Sequence, residues 1–295
     1  RAQYTLAEQA LLKQTVATLG KLQRYVQGRF DAGQANAYDV QAIETQIQAV
    51  KAQQTTLDAQ FAAYQRSLAV LTGQIPQGFR LAKKRLQQAK LLSQLPKPPN
   101  GEQPKNLLNK RPDLMAAAAK VQSKAADLAS AKADFLPRFD LRFLWQTGRL
   151  ELSSQMLPDF NGWGSLASFG VQLPLFTAGK IQTNVDAKNA ALKTALLEYE
   201  QAILQALAEV DNRYQLQYAL SRQTDALAST VRQSQRRQTS AQKLFTYGDK
   251  TLDSVLEVKL KTLQYRQKLL ESRLANALNL VALYKAIGGG WGESF

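Results

Sequence analysis

A chain with neither cysteine nor histidine has few routes to catalysis. Their absence removes thiolate nucleophiles, disulfides and thiolate metal sites, together with the commonest acid–base group and metal ligand. The remaining carboxylates, lysines and arginines are intermixed along the sequence, and the basic clusters are short: Lys83, Lys84 and Arg85, then Arg236 and Arg237. Nothing gathers titratable groups as a reactive pocket requires. A net charge of +15 would suit a nucleic acid or an anionic membrane surface. A single-strand binder, however, interleaves its basic residues with stacking aromatics, and here the aromatics sit on expected strands and turns. No enzyme, cofactor, metal or nucleic-acid partner is expected, and the basic residues read as solvated helix faces.

What the residue pattern does offer is partition between water and an apolar phase. Phe139, Leu141, Phe143 and Trp145 alternate with Asp140, Arg142, Leu144 and Gln146. Ala167, Phe169, Val171, Leu173 and Leu175 alternate with Ser168, Gly170, Gln172 and Pro174. A period of two puts each apolar set on one face of a strand. The strands read as about ten residues each, joined by a loop from about Gly148 to Gly164 that carries Pro158, Asn161, Gly162 and Trp163. That length suits a tilted strand crossing a bilayer, and it equally suits a half-buried hairpin in a soluble protein.

The elements around these strands are helical. From Lys180 to Thr246 there is neither proline nor glycine, and at 1.5 Å per residue such a helix is roughly 100 Å long. Globular helices average about 11 residues, so this one is far from ordinary. A helix over residues 1–30 carries Leu6, Leu11, Leu12, Val16, Leu19, Leu22 and Val26 at helical spacing and breaks at Phe30, Asp31, Ala32 and Gly33. A second runs from about Ala37 to Leu71 and stops at Thr72 and Gly73, with Pro76 beyond. The two form an antiparallel hairpin. A short basic helical piece from Leu81 to Leu92 precedes Pro96, Pro98, Pro99, Asn100, Gly101 and Pro104, which cannot continue a helix. Helix resumes at Arg111, Pro112 and Asp113, where proline and an acidic residue suit a first turn, and runs to about Asp134. After the long helix, a break at Phe245, Thr246, Tyr247 and Gly248 precedes a last helix from about Leu252 to Ile287, closed by Gly288, Gly289 and Gly290, with Trp291 after it. Continuous a/d heptads, which a soluble coiled-coil scaffold would need, are absent.

Shifted by about 215 positions, the chain matches itself. Phe30 falls on Phe245, Gly33 on Gly248, Val40 on Val255, Leu68 on Leu283 and Gly73 on Gly288, while Leu12, Thr15 and Val16 fall on Leu227, Thr230 and Val231. The later repeat reads helix, strand, loop, strand, long helix, turn, helix; the earlier one shows only its last three parts. Symmetry therefore predicts on the order of 110 further residues in front of Arg1. Any targeting signal or lipid anchor is expected there.

Several segments together resemble the TolC-like outer-membrane efflux duct family, in particular its NodT-type branch. They are Arg111-Pro112-Asp113-Leu114; Ala131-Lys132-Ala133-Asp134-Phe135-Leu136-Pro137; Leu173-Pro174-Leu175-Phe176 with Gly179-Lys180-Ile181; and Ala282-Leu283-Tyr284-Lys285-Ala286-Ile287-Gly288-Gly289-Gly290-Trp291. Order and spacing agree over the whole chain except the connector from Gln77 to Asn106. Ala118 departs from the family, which places an acidic residue there.

The resemblance implies a mainly α fold with a β-hairpin: long antiparallel helical hairpins forming an α-barrel, plus outer-membrane β-barrel strands, in a homotrimer. Residues 1–75 would be the periplasmic hairpin ending the first repeat, 76–110 an equatorial connector and 111–136 a helix. Residues 137–177 would be the outer-membrane hairpin, 178–290 the second periplasmic hairpin and 291–295 a tail. Phe139, Leu141, Phe143, Trp145, Phe169, Val171, Leu173 and Leu175 would face outer-membrane lipid, and Asp140, Arg142, Ser168 and Gln172 would line water. Pro174 is expected to mark the strand end. The implied function is passive export, in partnership with a periplasmic adaptor (membrane fusion) protein and an inner-membrane efflux pump. The turns Phe30 to Asp39 and Phe245 to Glu257 would form the periplasmic tip, with Gly33 and Gly248 at their bends. Asp39, Lys250, Asp253 and Glu257 would be gate residues, Lys250 placed to pair with Asp39. Phe245 stands where the family often has tyrosine, and Ser254 stands at an acidic position. One strand pair per protomer would give a trimer only six strands, too few for a pore of the family's size, so these residues alone are not expected to conduct.

Overall fold

The computed structural model describes residues 1–83, 86, 91–99, 110–150 and 160–289. Its elements are α1 (Ala2–Asp31), α2 (Ala37–Leu71), α3 (Pro112–Ala133), β1 (Arg138–Leu150), β2 (Phe160–Gln172), α4 (Lys180–Thr246) and α5 (Leu252–Ala286). Half of the expected helix over Leu81 to Leu92, together with Asn100, Gly101, Pro104, Pro158, Gly290 and Trp291, lies outside the described residues. Among the described residues, no helix is long and apolar enough to cross a membrane.

Two compact units divide the chain, one of residues 1–101 with 209–295 and one of residues 102–208. In the first, α1 packs against both α2 and α5. Leu19 and Leu22 of α1, Ile43 and Ile47 of α2, and Leu256 of α5 form one apolar cluster, bordered by Val26, Val50, Leu252 and Leu260. Ala2, Leu6 and Phe61 form another, bordered by Tyr64 and Leu86. These positions recur at three or four residues, the stripe that turns a helix toward a neighbour.

The tight turns of this unit confirm the internal repeat bond for bond. At the end of α1, the amides of Ala32, Gly33 and Gln34 donate to the carbonyls of Gly28, Phe30 and Arg29 at 3.1, 2.9 and 2.7 Å. At the end of α4, 215 positions on, Tyr247, Gly248 and Asp249 donate to Lys243, Phe245 and Leu244 at 3.1, 3.0 and 2.9 Å. The ends of α2 and α5 match in the same way: Thr72, Gly73 and Gln74 repeat as Ile287, Gly288 and Gly289. Gly33 and Gly248 have φ of +72° and +84°, and Gly73 and Gly288 of +69° and +89°. This left-handed residue closes a helix through bonds back to its last carbonyls and costs a side-chain-bearing residue more than glycine.

In the second unit, β1 and β2 form an antiparallel ladder from Arg138↔Gln172 to Leu150↔Phe160. Each strand has 13 residues, longer than the ten expected. The expected loop from Gly148 to Gly164 is therefore corrected: Gly148 lies opposite Gly162 and Gln146 opposite Gly164, all within the ladder. Glycine weakens a strand without forbidding it, so the ladder runs through all three. The strand end also differs from the expectation for Leu173 and Leu175. Both lie past Gln172, in the connection to α4, because Pro174 has no amide with which to extend the ladder. Ala178 (φ 47°) and Gly179 (φ 81°) then turn the chain, and the amide of Lys180 donates to the Thr177 carbonyl at 2.9 Å as α4 begins.

Candidate functional site

Two features stand apart from the packed helix stripes: the strand face and the pair of glycine turns. On β1, Phe139, Leu141, Phe143 and Trp145 share one face, and the register sets Phe139 opposite Val171, Leu141 opposite Phe169 and Phe143 opposite Ala167. The Phe139 and Phe169 rings have centroids 6.4 Å apart, and the Trp145 and Trp163 rings stack at 5.1 Å with an interplanar angle of 8°. Asp140, Arg142, Ser168 and Gly170 occupy the opposite face, with Arg142 paired to Ser168. Such a two-faced ribbon can sit between lipid and water, and in lipid its edges must be closed by further strands. Leu173 (51 % exposed) and Leu175 (85 % exposed) continue the apolar run beyond the ladder.

At the turns, Asn36 caps α2. Its side-chain oxygen accepts from the Asp39 amide at 2.9 Å, while the Asp39 carboxylate accepts from the Asn36 amide at 3.4 Å. Asp39 is thus one half of a capping box, a role that its position three residues into the helix already encodes. Within the chain, Asp39 and Lys250 are not brought together as an ion pair; both are exposed, and among the described residues neither has an ion-pair partner within 4.0 Å. The contact that does span the two turns is Arg29 to Asp253, with Nη1 and Oδ2 3.5 Å apart. Arg29 also donates to the Gln34 carbonyl at 3.1 Å, so one guanidinium ties the first turn to the start of α5. Asp253 accepts in addition from the Ser254 amide at 2.9 Å. Sequence reasoning missed Arg29; its one signal is a basic residue in the last turn of α1. Glu257 is exposed and lines an open groove of about 450 Å³ with Arg237, Lys261 and Tyr265. Phe30 and Phe245, equivalent in the repeat register, are 41 % and 37 % exposed.

A β-hairpin with one apolar face leads into a 67-residue helix, and the helical hairpins are closed by repeated glycine turns. The family model described as outer membrane efflux protein matches residues 103–289, and the chain belongs to that family. Its place is the outer membrane of a Gram-negative cell, with an extension into the periplasm. The chain is 25 % identical over 98 % of its length to the cation efflux system protein CusC of Escherichia coli O6:H1, covering 61 % of that relative. It is 29 % identical over 97 % of its length to the solvent efflux pump outer membrane protein SrpC of Pseudomonas putida, covering 60 % of it. The crystal structure of the Campylobacter jejuni CmeC outer membrane channel has the same fold, with a TM-score of 0.73 at 18 % identity over all of this chain and 62 % of that one. The chain therefore spans about three fifths of the length of the relatives it matches.

Proposed function

We propose that this protein is the outer-membrane component of a tripartite efflux system, a passive export duct for small molecules with no chemistry of its own. The observation that carries the reading is the joint between β2 and α4, where a ribbon with one apolar and one polar face gives way to a helix of 67 residues. Only a closed barrel leaves no unpaired edge in lipid, so the hairpin must join strands from other segments or protomers. A homotrimer supplies them, with four strands per protomer once an equivalent pair from the earlier repeat is counted. The helices then build a periplasmic tunnel about 100 Å long, the length of α4.

The turn regions carrying Phe30, Gly33, Phe245 and Gly248 form the tunnel's periplasmic tip in this reading. Asp39, Lys250, Asp253 and Glu257 form its constriction, where an adaptor protein docks and an inner-membrane pump delivers cargo. Lys250 and Asp39, with no ion-pair partner among the described residues, pair across protomers. CusC is named for cations and SrpC for solvents, so at similar distance from this chain the duct serves unlike cargo, and selection falls to the pump.

The test is conductance of the purified full-length protein in a planar bilayer, joined to rescue of toxic-compound export in cells lacking their own outer-membrane duct. Expected are a low closed-state conductance, a larger one after replacement of Asp39 and Glu257 by alanine, and rescue that requires the adaptor and pump. A folded trimer that neither conducts in any variant nor rescues export would overturn the reading.

A further inference from the structure

The apolar face of the hairpin changes character toward its far end. Phe139, Leu141 and Phe143 on β1, with Ala167, Phe169 and Val171 opposite on β2, carry no polar side-chain atom. The same face continues with Trp145 opposite Ser165 and Thr147 opposite Trp163. The two indoles stack along one diagonal of this square, with centroids 5.1 Å apart, and the two hydroxyl residues take the other diagonal. All four residues are exposed, and among the described residues none of their side chains has a hydrogen-bond partner.

In a layer of acyl chains, four hydrogen-bonding groups without partners would each cost free energy. Indoles and hydroxyls are at home instead where an apolar layer meets polar groups. The register puts them there. Thr147, with Trp163 opposite, is nine residues along β1 from Arg138, about 31 Å at 3.4 Å per residue. At a tilt of about 40° that is about 23 Å along the membrane normal, near the far edge of an apolar band about 25 Å tall. Because the other end of the hairpin leads into α4 and the periplasm, this edge belongs to the outer leaflet.

The outer leaflet of a Gram-negative outer membrane presents sugar head groups. A sugar ring offers an apolar C–H face bordered by hydroxyls, which matches the outward face of an indole flanked by Thr147 and Ser165. A phosphoglycerol head group has no such face. We propose that Trp145, Thr147, Trp163 and Ser165 form a binding site for the sugar head group of an outer-leaflet glycolipid, with the ring stacked on indole and its hydroxyls bonded to the two side-chain hydroxyls. The inference rests on the reading of the hairpin as an outer-membrane strand pair.

Tryptophan emission of the purified full-length protein tests it, with every tryptophan except Trp145 and Trp163 replaced by phenylalanine. In phosphatidylcholine vesicles brominated at defined depths, bromines beside the head groups are expected to quench the pair at least about twofold more than bromines at the chain ends. Added glucosyl diacylglycerol is expected to change the emission saturably, with a half-maximal mole fraction at least about fivefold below that of phosphatidylglycerol with the same chains. Thr147→Val with Ser165→Ala is expected to raise that mole fraction at least about fivefold, whereas Thr147→Ser with Ser165→Thr, which keeps both hydroxyls, leaves it within about twofold. The depth and lipid comparisons use the native patch, so they decide the matter even if the hydroxyl-free variant fails to fold. Absence of quenching at every depth would place the hairpin outside lipid and overturn the membrane reading together with the site. Strongest quenching from the chain ends, or an equal response to the two lipids, overturns the sugar site and leaves the membrane reading standing.

Discussion

Phe143 and Leu144 are neighbours on β1, both largely exposed on the isolated chain, at 69 % and 55 %, so exposure does not tell their faces apart. The register does. Phe143 belongs with Phe139, Leu141 and Trp145, and Leu144 with Asp140 and Arg142, on the face expected to meet water. Phe143 is five residues into the strand, about 17 Å from Arg138 at 3.4 Å per residue. With a barrel tilt of about 40°, that becomes about 13 Å along the membrane normal, close to the midplane of an apolar band about 25 Å tall. A lysine at that depth on the lipid face costs about 2–4 kcal/mol, while one turned into the lumen meets water and escapes that cost. Phe143→Lys is therefore expected to destabilise each protomer by at least about 2 kcal/mol more than Leu144→Lys. The assay is urea unfolding of the full-length protein in phospholipid vesicles, followed by loss of resistance to detergent dissociation and by tryptophan emission. Equal penalties would show that the hairpin does not separate lipid from water, and a larger penalty at Leu144 would reverse its faces. Either result would refute the reasoning from register to membrane.

The turns, the ion pair and the carboxylates give three further expectations. Gly33→Ala and Gly248→Ala should each cost about 1–2 kcal/mol in thermal or urea unfolding, because a Cβ at either site meets no neighbour and only the left-handed φ is strained. A double-mutant cycle on Arg29 and Asp253, both partly exposed, should return a coupling of about 0–1 kcal/mol that shrinks as salt is added. Burial raises the Glu8 carboxyl, an effect opposed by its hydrogen bond with Tyr4 and reinforced by Glu271; a folded-state value above the unfolded one gives stability that is full in acid and lost as pH rises through the folded value. Asp113 is held low chiefly by its hydrogen bond from Arg111, so its contribution is present above the ordinary carboxylate value and lost as pH falls through the folded one. Melting curves between pH 3 and pH 7 should then show Glu8→Gln gaining on the wild type toward neutrality and Asp113→Asn falling behind it, each by up to about 0.5 kcal/mol after solvent screening.

The sequence made the architecture legible where one residue type has one physical use. Gly33, Gly73 and Gly248 end helices because the backbone there needs φ that other residues resist, and the helices end as read. Pro174 has no amide with which to extend a ladder, and the strand ends at Gln172, two residues before it. Glycine in the hairpin misled for the complementary reason: in a ladder it is only unfavourable, and the pairing of Gly148 with Gly162 outweighs that preference. The tip was less legible because one residue there serves two purposes. An acidic side chain three residues into a helix suits a capping box and a charged constriction equally, and Asp39 performs the first within the chain whatever it does across protomers. The Arg29 to Asp253 contact joins residues of distant helices, and no linear pattern says which of many arginines meets which carboxylate.

Four buried polar residues of α4 and α5 present a different case, standing 215 positions after Leu19, Ile47, Leu57 and Phe61. Ser234, Thr262, Ser272 and Asn276 taken singly are unremarkable helix residues with middling propensity, and each would pass as solvent-facing. Only the comparison with Leu19, Ile47, Leu57 and Phe61 shows that they lie where the fold buries side chains, and their burial in the structure bears this out. A repeat thus serves as its own control: with backbone and turn geometry held constant, the difference between its copies isolates what the side chains have been changed to do. In the first copy Leu19 and Ile47 belong to an apolar cluster, and in the second the hydroxyl oxygens of Ser234 and Thr262 at the same positions lie 2.8 Å apart.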